Sequence, residues 1–466
     1  PTRPCLTAVA ENQLQKDAHV FATGRDLSSE YFNSQIITDA FGVQEIGGYK
    51  EARGIKSYIG RATYNYDNRY YLQASIRRDG LSNLHSKNRW ENFLGVSAGW
   101  TISNEDFFES ETISDLKLRG SYAETGNTNI GAYPYLGMYG LNKYGNDTGY
   151  GYSQFGNDNL LWESTDKINL GVDAGLLNNR LLLSAEYFEN NTKDMIINKS
   201  TAPSLGIPGN IIKINAGDMK NSGFEFSVDA VVIDKEDFSW RTNANISFSK
   251  NKVSNLPDGN DIFPEYSTTA SINGNIIIRE GEAINSLYGY EYWGVNQANG
   301  APVYVKADGT LVQVDYGTGR YYEFDPNNPD DMSVLSSLSS TEDRKILGQT
   351  TPKYFGGWGN TFAYKNFDLS FMFRFSGGNK IFNYTRRELL SQTFNNNLSE
   401  IKGRWQSPDN PGDGKTPMLW ADGDGVVNHN VLTSRFVEKG DFISLDNITF
   451  GYNFDTGEFN VSDLAN

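Results

Sequence analysis

The sequence predicts an all-β fold, a large antiparallel transmembrane β-barrel, and three observations predict it. Strand-length runs alternate apolar and polar residues, tight Asn-containing turns join runs into pairs, and long connections separate the pairs. Successive side chains point to opposite faces of a strand, so a period of two sorts residues between two faces.

The first pair is Ser57–Asp67 and Arg69–Arg78. Tyr58, Gly60, Ala62 and Tyr64 share one side of the first run, with Arg61, Thr63 and Asn65 on the other. Beyond the Asp67-Asn68 turn, Tyr70, Leu72, Ala74 and Ile76 oppose Gln73, Ser75 and Arg77. Leu116, Leu118, Gly120 and Tyr122 then oppose Lys117, Arg119 and Ser121. Ile168, Leu170, Val172 and Ala174 oppose Lys167, Asn169 and Asp173. After Asn178-Asn179, Leu181, Leu183, Ala185 and Tyr187 oppose Ser184 and Glu186. Phe224, Phe226, Val228 and Ala230 oppose Glu225, Ser227 and Asp229, and Trp240, Ala244, Ile246 and Phe248 oppose Arg241, Asn243 and Asn245. Past Lys365-Asn366, Phe367, Leu369, Phe371, Phe373 and Phe375 oppose Asp368, Ser370 and Arg374. The apolar register of these runs holds no Asp, Glu, Lys, Arg or His, and tight Asn-containing turns between such runs mark hairpins.

A soluble sandwich alternates too, but three further features select a membrane barrel. Several runs reach the roughly 9–11 residues that cross a bilayer at a tilt. Aromatic residues stand near run ends (Tyr64, Tyr66, Tyr70, Trp100, Trp240, Phe248), as interfacial girdles do. Connections alternate in length: 67–68, 178–179 and 365–366 are tight, whereas 79–91, 124–164, 190–217 and 376–440 are long. Outer-membrane barrels keep short turns in the periplasm and long loops outside. A charge facing lipid at mid-depth costs about 2–4 kcal/mol, so the charged register is read as lumen-facing.

Parity predicts a further hairpin. The segment between Lys250 and Phe355 must cross the membrane an even number of times, and Asn275–Arg279 with Ile284–Trp293 supply a pair around Glu280-Gly281-Glu282. That brings the count to roughly thirteen strands, an odd number, whereas single-chain bacterial barrels have an even one. The chain also stops at Asn466 soon after the run Ile448–Tyr452, so it is expected to be a piece of a larger barrel.

Composition sets the remaining bounds. No apolar run of about 18 residues exists, which excludes helical membrane spans. No basic stretch followed by an apolar one opens the chain, so a signal peptide is expected upstream or already removed. Cys5, the only cysteine, can form no internal disulfide, which suits an exported protein. No apolar segment precedes it, so lipid modification is not expected. A net charge of −16 opposes nucleic-acid binding, which needs a basic stripe.

Five stretches carry a family resemblance. Ser57–Tyr66 runs into Ser75–Gly80, then Asn88-Arg89-Trp90 and Ser97–Trp100. Leu116–Tyr122 follows with Thr125-Gly126-Asn127, then Trp162-Glu163-Ser164-Thr165 and Asn169-Leu170-Gly171. Later come Glu342-Asp343-Arg344 with Leu347-Gly348 and Pro352–Gly357, and last Arg404-Trp405 and Ile448–Tyr452. In order and spacing they resemble the SusC/RagA family of TonB-linked (TonB-dependent) outer-membrane transporters of Bacteroidota. The resemblance implies a roughly 22-stranded barrel, of which this chain is the middle-to-late portion. It also implies an N-terminal plug, a TonB-interacting segment, import of oligosaccharides, peptides or similar nutrients, and a SusD-like surface lipoprotein as lid. Residues 1–56 are left as an upstream barrel or loop segment and 57–466 as barrel with long outer loops; no plug or TonB box is read here. The bacterial outer membrane is the expected location, with its lipid, the lipoprotein and TonB as partners. The alternative is a non-transporting scaffold barrel in a larger outer-membrane complex.

Candidate site residues fall into three groups. Loop tyrosines Tyr133, Tyr135, Tyr139, Tyr144, Tyr150, Tyr152, Tyr321 and Tyr322 can stack on a solute or contact a lid, since Tyr is amphipathic and loses little rotamer entropy. Self-packing of long loops explains them equally well. Lumen-facing Arg61, Arg77, Arg119, Arg241 and Arg374 can steer anionic solutes, but are expected more often to pair across the wall with lumen acids such as Asp173, Glu225, Asp229 and Asp368. The third group concerns metal. The acidic motif many family members carry before E-D-R is replaced by Asp325–Asp331 without its glycine spacing, which puts calcium there in doubt. Asp422 and Asp424 match only the start of a calcium loop, so a plain acidic turn and no cofactor are expected. His19, His85 and His429 are scattered, and no carboxylate pair is singled out, so no enzyme is expected.

Overall fold

A computed structural model of the chain describes residues 2–24, 45–145, 147–264, 275–390, 396–419 and 432–454. Among the described residues, twelve long strands carry the fold. They are β1 (Arg3–Thr23), β2 (Glu45–Tyr66), β3 (Tyr70–Leu81), β4 (Trp90–Thr101), β5 (Ile113–Gly126) and β6 (Ser164–Leu176). After these come β7 (Leu181–Lys193), β8 (Asp218–Asp234), β9 (Phe238–Asn255), β10 (Tyr354–Tyr364), β11 (Phe367–Gly377) and β12 (Phe442–Tyr452). Their order in the sheet is their order in the chain, and the shorter strands form separate small sheets.

Turn chemistry fixes the pairing. Asp67 and Asn68 (φ 51° and 55°) turn β2 into β3, and Leu177, Asn178 and Asn179 (φ 54°, 57° and 61°) turn β6 into β7. Lys365 (φ 52°) does the same between β10 and β11. Left-handed backbone at the turn matches the twist of the flanking strands, and Asn and Asp tolerate it.

The residues divide into two compact units, 1–99 with 121–167 and 192–216, and 100–120 with 168–191 and 217–466. In the first, β1 pairs with Glu45–Asn65 of β2, while β3 pairs only with Ile55–Tyr66. The β1–β2 ribbon therefore continues past the end of β3. Its long connections bury Leu81, Leu84, Phe93, Ile130, Leu160 and Trp162 together and carry a hairpin of Met138–Tyr144 with Asp147–Gln154. In the second unit β8, β9, β10, β11 and β12 pair successively and antiparallel. The connection from β9 to β10 folds into a three-stranded sheet (276–277, 286–289, 345–348) and a five-stranded one (291–295 to 335–336).

One expectation is corrected. The predicted membrane hairpin 275–293 does not enter the wall: its strands, Ile276–Ile277, Ser286–Gly289 and Glu291–Val295, belong to the small sheets. None approaches the roughly 9–11 residues a crossing needs, and Ser286–Gly289 is buried on both faces. Parity is satisfied without a crossing by any described residue of the segment, since β9 pairs directly with β10. Residues 1–56, left unassigned, supply β1 and the first half of β2. Losing the two supposed strands and gaining β1 turns thirteen into twelve among the described residues.

Candidate functional site

Two faces of the wall do different chemistry. The apolar register is solvent-exposed: Leu72 and Ile76 are 54% and 50% exposed, Ile448 and Phe450 65% and 68%. A sheet showing one continuous face of large apolar side chains has that face covered by something apolar, and a bilayer does so along a whole strand. In the second unit a groove of about 600 Å³ runs on this face between Val172, Ala174, Ala185, Val228, Ala244 and Ile246, where side chains are small.

The opposite register is polar and largely satisfied. Arg119 bonds Asp173 at 3.0 Å, Ser184 at 3.3 Å and Glu186 at 2.5 Å, and Ser184 donates to Asp173 at 2.7 Å. Arg77 reaches Asp79 and Ser57 at 2.8 and 2.9 Å, and Glu11 at 3.4 Å. Arg61 donates to Gln73. Of the four acids singled out, Asp173 is the one paired with an arginine among the described residues, Arg119, while Arg77 and Arg374 pair with other acids. Arg374 pairs with Asp446 at 2.8 Å, Glu225 accepts from Ser247 at 3.0 Å, and Asp368 accepts from Asn453 at 3.5 Å. Register is the reason, because β12 rather than β8 lies beside β11 and brings Asp446 to Arg374. Asp229 and Arg241 form no ion pair among the described residues and lie exposed. Asp115, Asp173, Asp229, Ser184, Ser227 and Asn243 line a cavity of about 440 Å³ on this face.

The loop tyrosines separate into two kinds. The Tyr133 hydroxyl donates to the Ala52 carbonyl, and Tyr135 packs edge-on against His85 at 5.7 Å, so both serve loop folding. Tyr321 packs at 6.5 Å on Tyr304, within a core of Tyr290, Tyr304 and Val312, and Tyr322 lies half-buried beside it in the strand Tyr321–Glu323. Tyr139, Tyr150 and Tyr152 instead stand in solvent with Leu141 on one face of the hairpin 138–154, where the Tyr139 and Tyr152 rings lie 4.3 Å apart, tilted by 31°. The other face presents Gly140, Gly149 and Gly151. Tyr144 lies in the same hairpin, and its side chain is outside the described residues.

Sequence reasoning missed the buried module of the second unit. Burial pushes the phenols of Tyr292, Tyr304 and Tyr316 up. Arg435 lies 5.7 Å from the Tyr292 ring and 5.1 Å from Phe436. Asn296, fully buried, donates to Gln313 and to the Pro329 carbonyl, both at 2.7 Å, pinning the 325–331 segment. The available signal was Asp308-Gly309 and Gly317-Thr318-Gly319 between short β-rich runs, which is hairpin punctuation. Asp325 and Asp331 do not converge on a cation: each accepts from backbone N–H two residues on, from Asn327 and Ser333, at 2.9 Å. Asp422 and Asp424 lie outside the described residues. Among those described, no group of three or more His, Cys, Asp or Glu is placed to hold a metal.

Comparison with known proteins follows from this geometry. Residues 8–337 match the family model described as TonB dependent receptor-like, beta-barrel. The chain is 34% identical over 414 residues to TonB-dependent receptor P3 of Formosa agariphila, covering 87% of this chain and 39% of that protein. It is 28% identical over 430 residues to TonB-dependent receptor SusC of Bacteroides thetaiotaomicron, covering 88% of this chain and 39% of that one. Among solved structures it superposes on the RagAB peptide transporter with TM-score 0.76 at 23% identity, over 98% of this chain and 48% of that chain. The chain thus spans between two fifths and half the length of these proteins.

Proposed function

The chain belongs to the TonB-dependent receptor-like β-barrel family, and from that membership we propose that the protein it forms part of imports a nutrient across the outer membrane. Its place is the bacterial outer membrane, and the family is one of receptors and transporters, not enzymes. The cargo is an oligosaccharide, a peptide or a similar solute, taken in with a SusD-like lipoprotein lid and coupled through TonB. One observation carries the reading: along the same strands a lipid-compatible apolar face backs onto an inward face of ion pairs and amides. That is the wall of an aqueous passage, because lumen-facing positions of such barrels are polar and lipid-facing ones are not. The exposed tyrosine face of the hairpin 138–154 supports contact with a lid or a solute.

The test is mass spectrometry of whatever co-purifies with the full-length protein in mild detergent, alongside uptake of labelled oligosaccharide and peptide mixtures by cells with and without it. A stoichiometric surface lipoprotein and an uptake that deletion abolishes are expected. Unchanged uptake with a larger set of assembly proteins would make the barrel a scaffold.

A further inference from the structure

We infer that the β1–β2 ribbon beyond the end of β3 carries a subsite for an extended peptide with a lysine or arginine two residues from an apolar side chain. Asp17 and Glu51 take the cation, and His19, Phe21 and Tyr49 take the apolar neighbour. The inference rests on the import reading and names the cargo class within it.

Placement comes first. The last pair between β2 and β3 is Ile55 with Leu81, and beyond it the described residues pair β1 with β2 alone. Tyr66 and Tyr58 bracket the apolar stretch of β2, as rings at two interfaces do. From Tyr58 to Glu51 the strand covers about 24 Å at ~3.4 Å per residue, or roughly 18 Å of height at a tilt of ~35–45°. The subsite therefore stands in water, at the end where such barrels carry their long loops. Odd-numbered positions of both strands continue the register of Arg61 and Glu11, which is the lumen-facing one.

Two pairs of facing residues make the subsite. Asp17 lies directly opposite Glu51, and the next pair on that face is His19 opposite Tyr49. The imidazole and phenol rings stack at 5.4 Å, and the Phe21 ring lies 5.9 Å from that of His19. Gly47, opposite Phe21, leaves room for the ring, since a Cβ there would run into it. The rings stand in solvent, with Tyr49 59% exposed. The acids are half-buried, and neither forms an ion pair among the described residues. Arg53, the next cation along the register, donates instead to Gln15 Oε1 at 2.8 Å, and the Gln15 amide donates to Asp17 at 3.1 Å.

Ribbon stability explains the rings but not the acids. Cross-strand aromatic pairs stabilise a two-stranded ribbon, whereas like charges directly opposite one another destabilise it. A cation bound between Asp17 and Glu51 removes that repulsion and is drawn to the adjoining ring faces as well. Spacing selects a peptide. Same-face positions of a strand lie two residues apart, about 7 Å, and those of an extended peptide share that repeat. A lysine or arginine over the acids therefore sets the side chain two residues on over the rings. A neutral sugar stacks on rings equally well but leaves the two charges uncompensated.

The test uses the full-length protein with the lipoprotein that co-purifies, and reads binding in mild detergent by isothermal titration calorimetry. The probes are Ala-Lys-Ala-Phe-Ala, acetylated and amidated, its Glu-for-Lys counterpart and a neutral hexasaccharide. The wild type is expected to bind the Lys peptide roughly tenfold more tightly than either, a margin that shrinks as salt rises. D17N/E51Q is expected to bind the two peptides alike, whereas K16Q/K50Q, on the opposite face of the same strands, keeps the preference. A folded D17N/E51Q that still prefers the Lys peptide overturns the inference. Should it fail to fold, D17N decides: a several-fold drop in preference supports the subsite, and no drop overturns it. A wild type that binds the hexasaccharide best, or the two peptides alike or not at all, overturns the peptide subsite and leaves import of another solute standing. Import itself falls only if deleting the protein leaves all uptake unchanged, and this inference then falls with it.

Discussion

Two tyrosine-rich loop regions of this chain meet opposite fates. In the module between β9 and β10, Tyr290 and Tyr304 are buried and packed, with Tyr304 2% exposed. In the hairpin 138–154, Tyr150 is 80% exposed and its neighbours Tyr139, Leu141 and Tyr152 share the open face. Composition is the same, and the difference is what lies behind each ring. Tyr304 has three further strands to pack on, so its phenol serves a core. A two-stranded hairpin with glycine on its other face offers nothing to bury a ring against. Aromatic content in a loop therefore signals function only where the fold leaves the rings uncovered.

The largest effect that can break this comparison is Tyr304→Ala. Removing a buried aromatic side chain costs about 3–5 kcal/mol through lost transfer energy and the cavity left behind. The expectation is fast amide exchange and protease nicking across 291–336, while the β1–β3 wall keeps its protection. Equal protection in variant and wild type would show that the module is not held by this core.

A smaller effect separates the regions by pH. The side-chain bond from Arg386 at 2.6 Å holds the Glu400 carboxyl below its ordinary value. A depressed folded value contributes stability that is complete above the unfolded value of about 4.3 and is lost as pH falls through the folded one. Acidification is thus expected to loosen the 378–441 connection, by under about 1 kcal/mol because the pair is partly solvated. Glu400→Gln should flatten that response. The hairpin 138–154, whose exposed Asp147 forms no ion pair among the described residues, should respond less between pH 5 and 3, and hydrogen exchange corrected for intrinsic rates measures both.

Legibility follows the range of the interactions. The wall was readable because alternation and turn chemistry are local: Asp67-Asn68 and Asn178-Asn179 announce left-handed turns, and Leu72 or Phe226 announces its face by its neighbours. β1 and the start of β2 were not readable, because Asn12, Lys16, Lys50 and Lys56 interrupt the apolar register there. The salt partners were half readable. Arg119 finds Asp173, but Arg374 finds Asp446, and only the sheet order brings β12 beside β11. Whether a loop tyrosine is buried depends on contacts distant in sequence, such as Tyr292 with the Lys415 carbonyl at 2.8 Å, and periodicity carries no trace of them.

The smallest expected effect on stability is the most informative about function. Tyr150→Ala removes a ring that is 80% exposed, so the folded protein should change by no more than about 0.5 kcal/mol, as exposed substitutions do. If the open face meets a lid or a solute, the same substitution must weaken that association, since a ring covered on binding contributes burial there that it lacks in the free protein. The two readouts together are decisive. Unchanged melting with reduced lipoprotein recovery or solute uptake assigns the face to recognition. Lowered melting instead means that the ring packs within the loop, and the contrast with Tyr304 becomes one of degree. Tyr139→Ala sharpens the result, because Tyr139 packs against Tyr152 and its loss should disturb the hairpin itself as well as anything that docks on it.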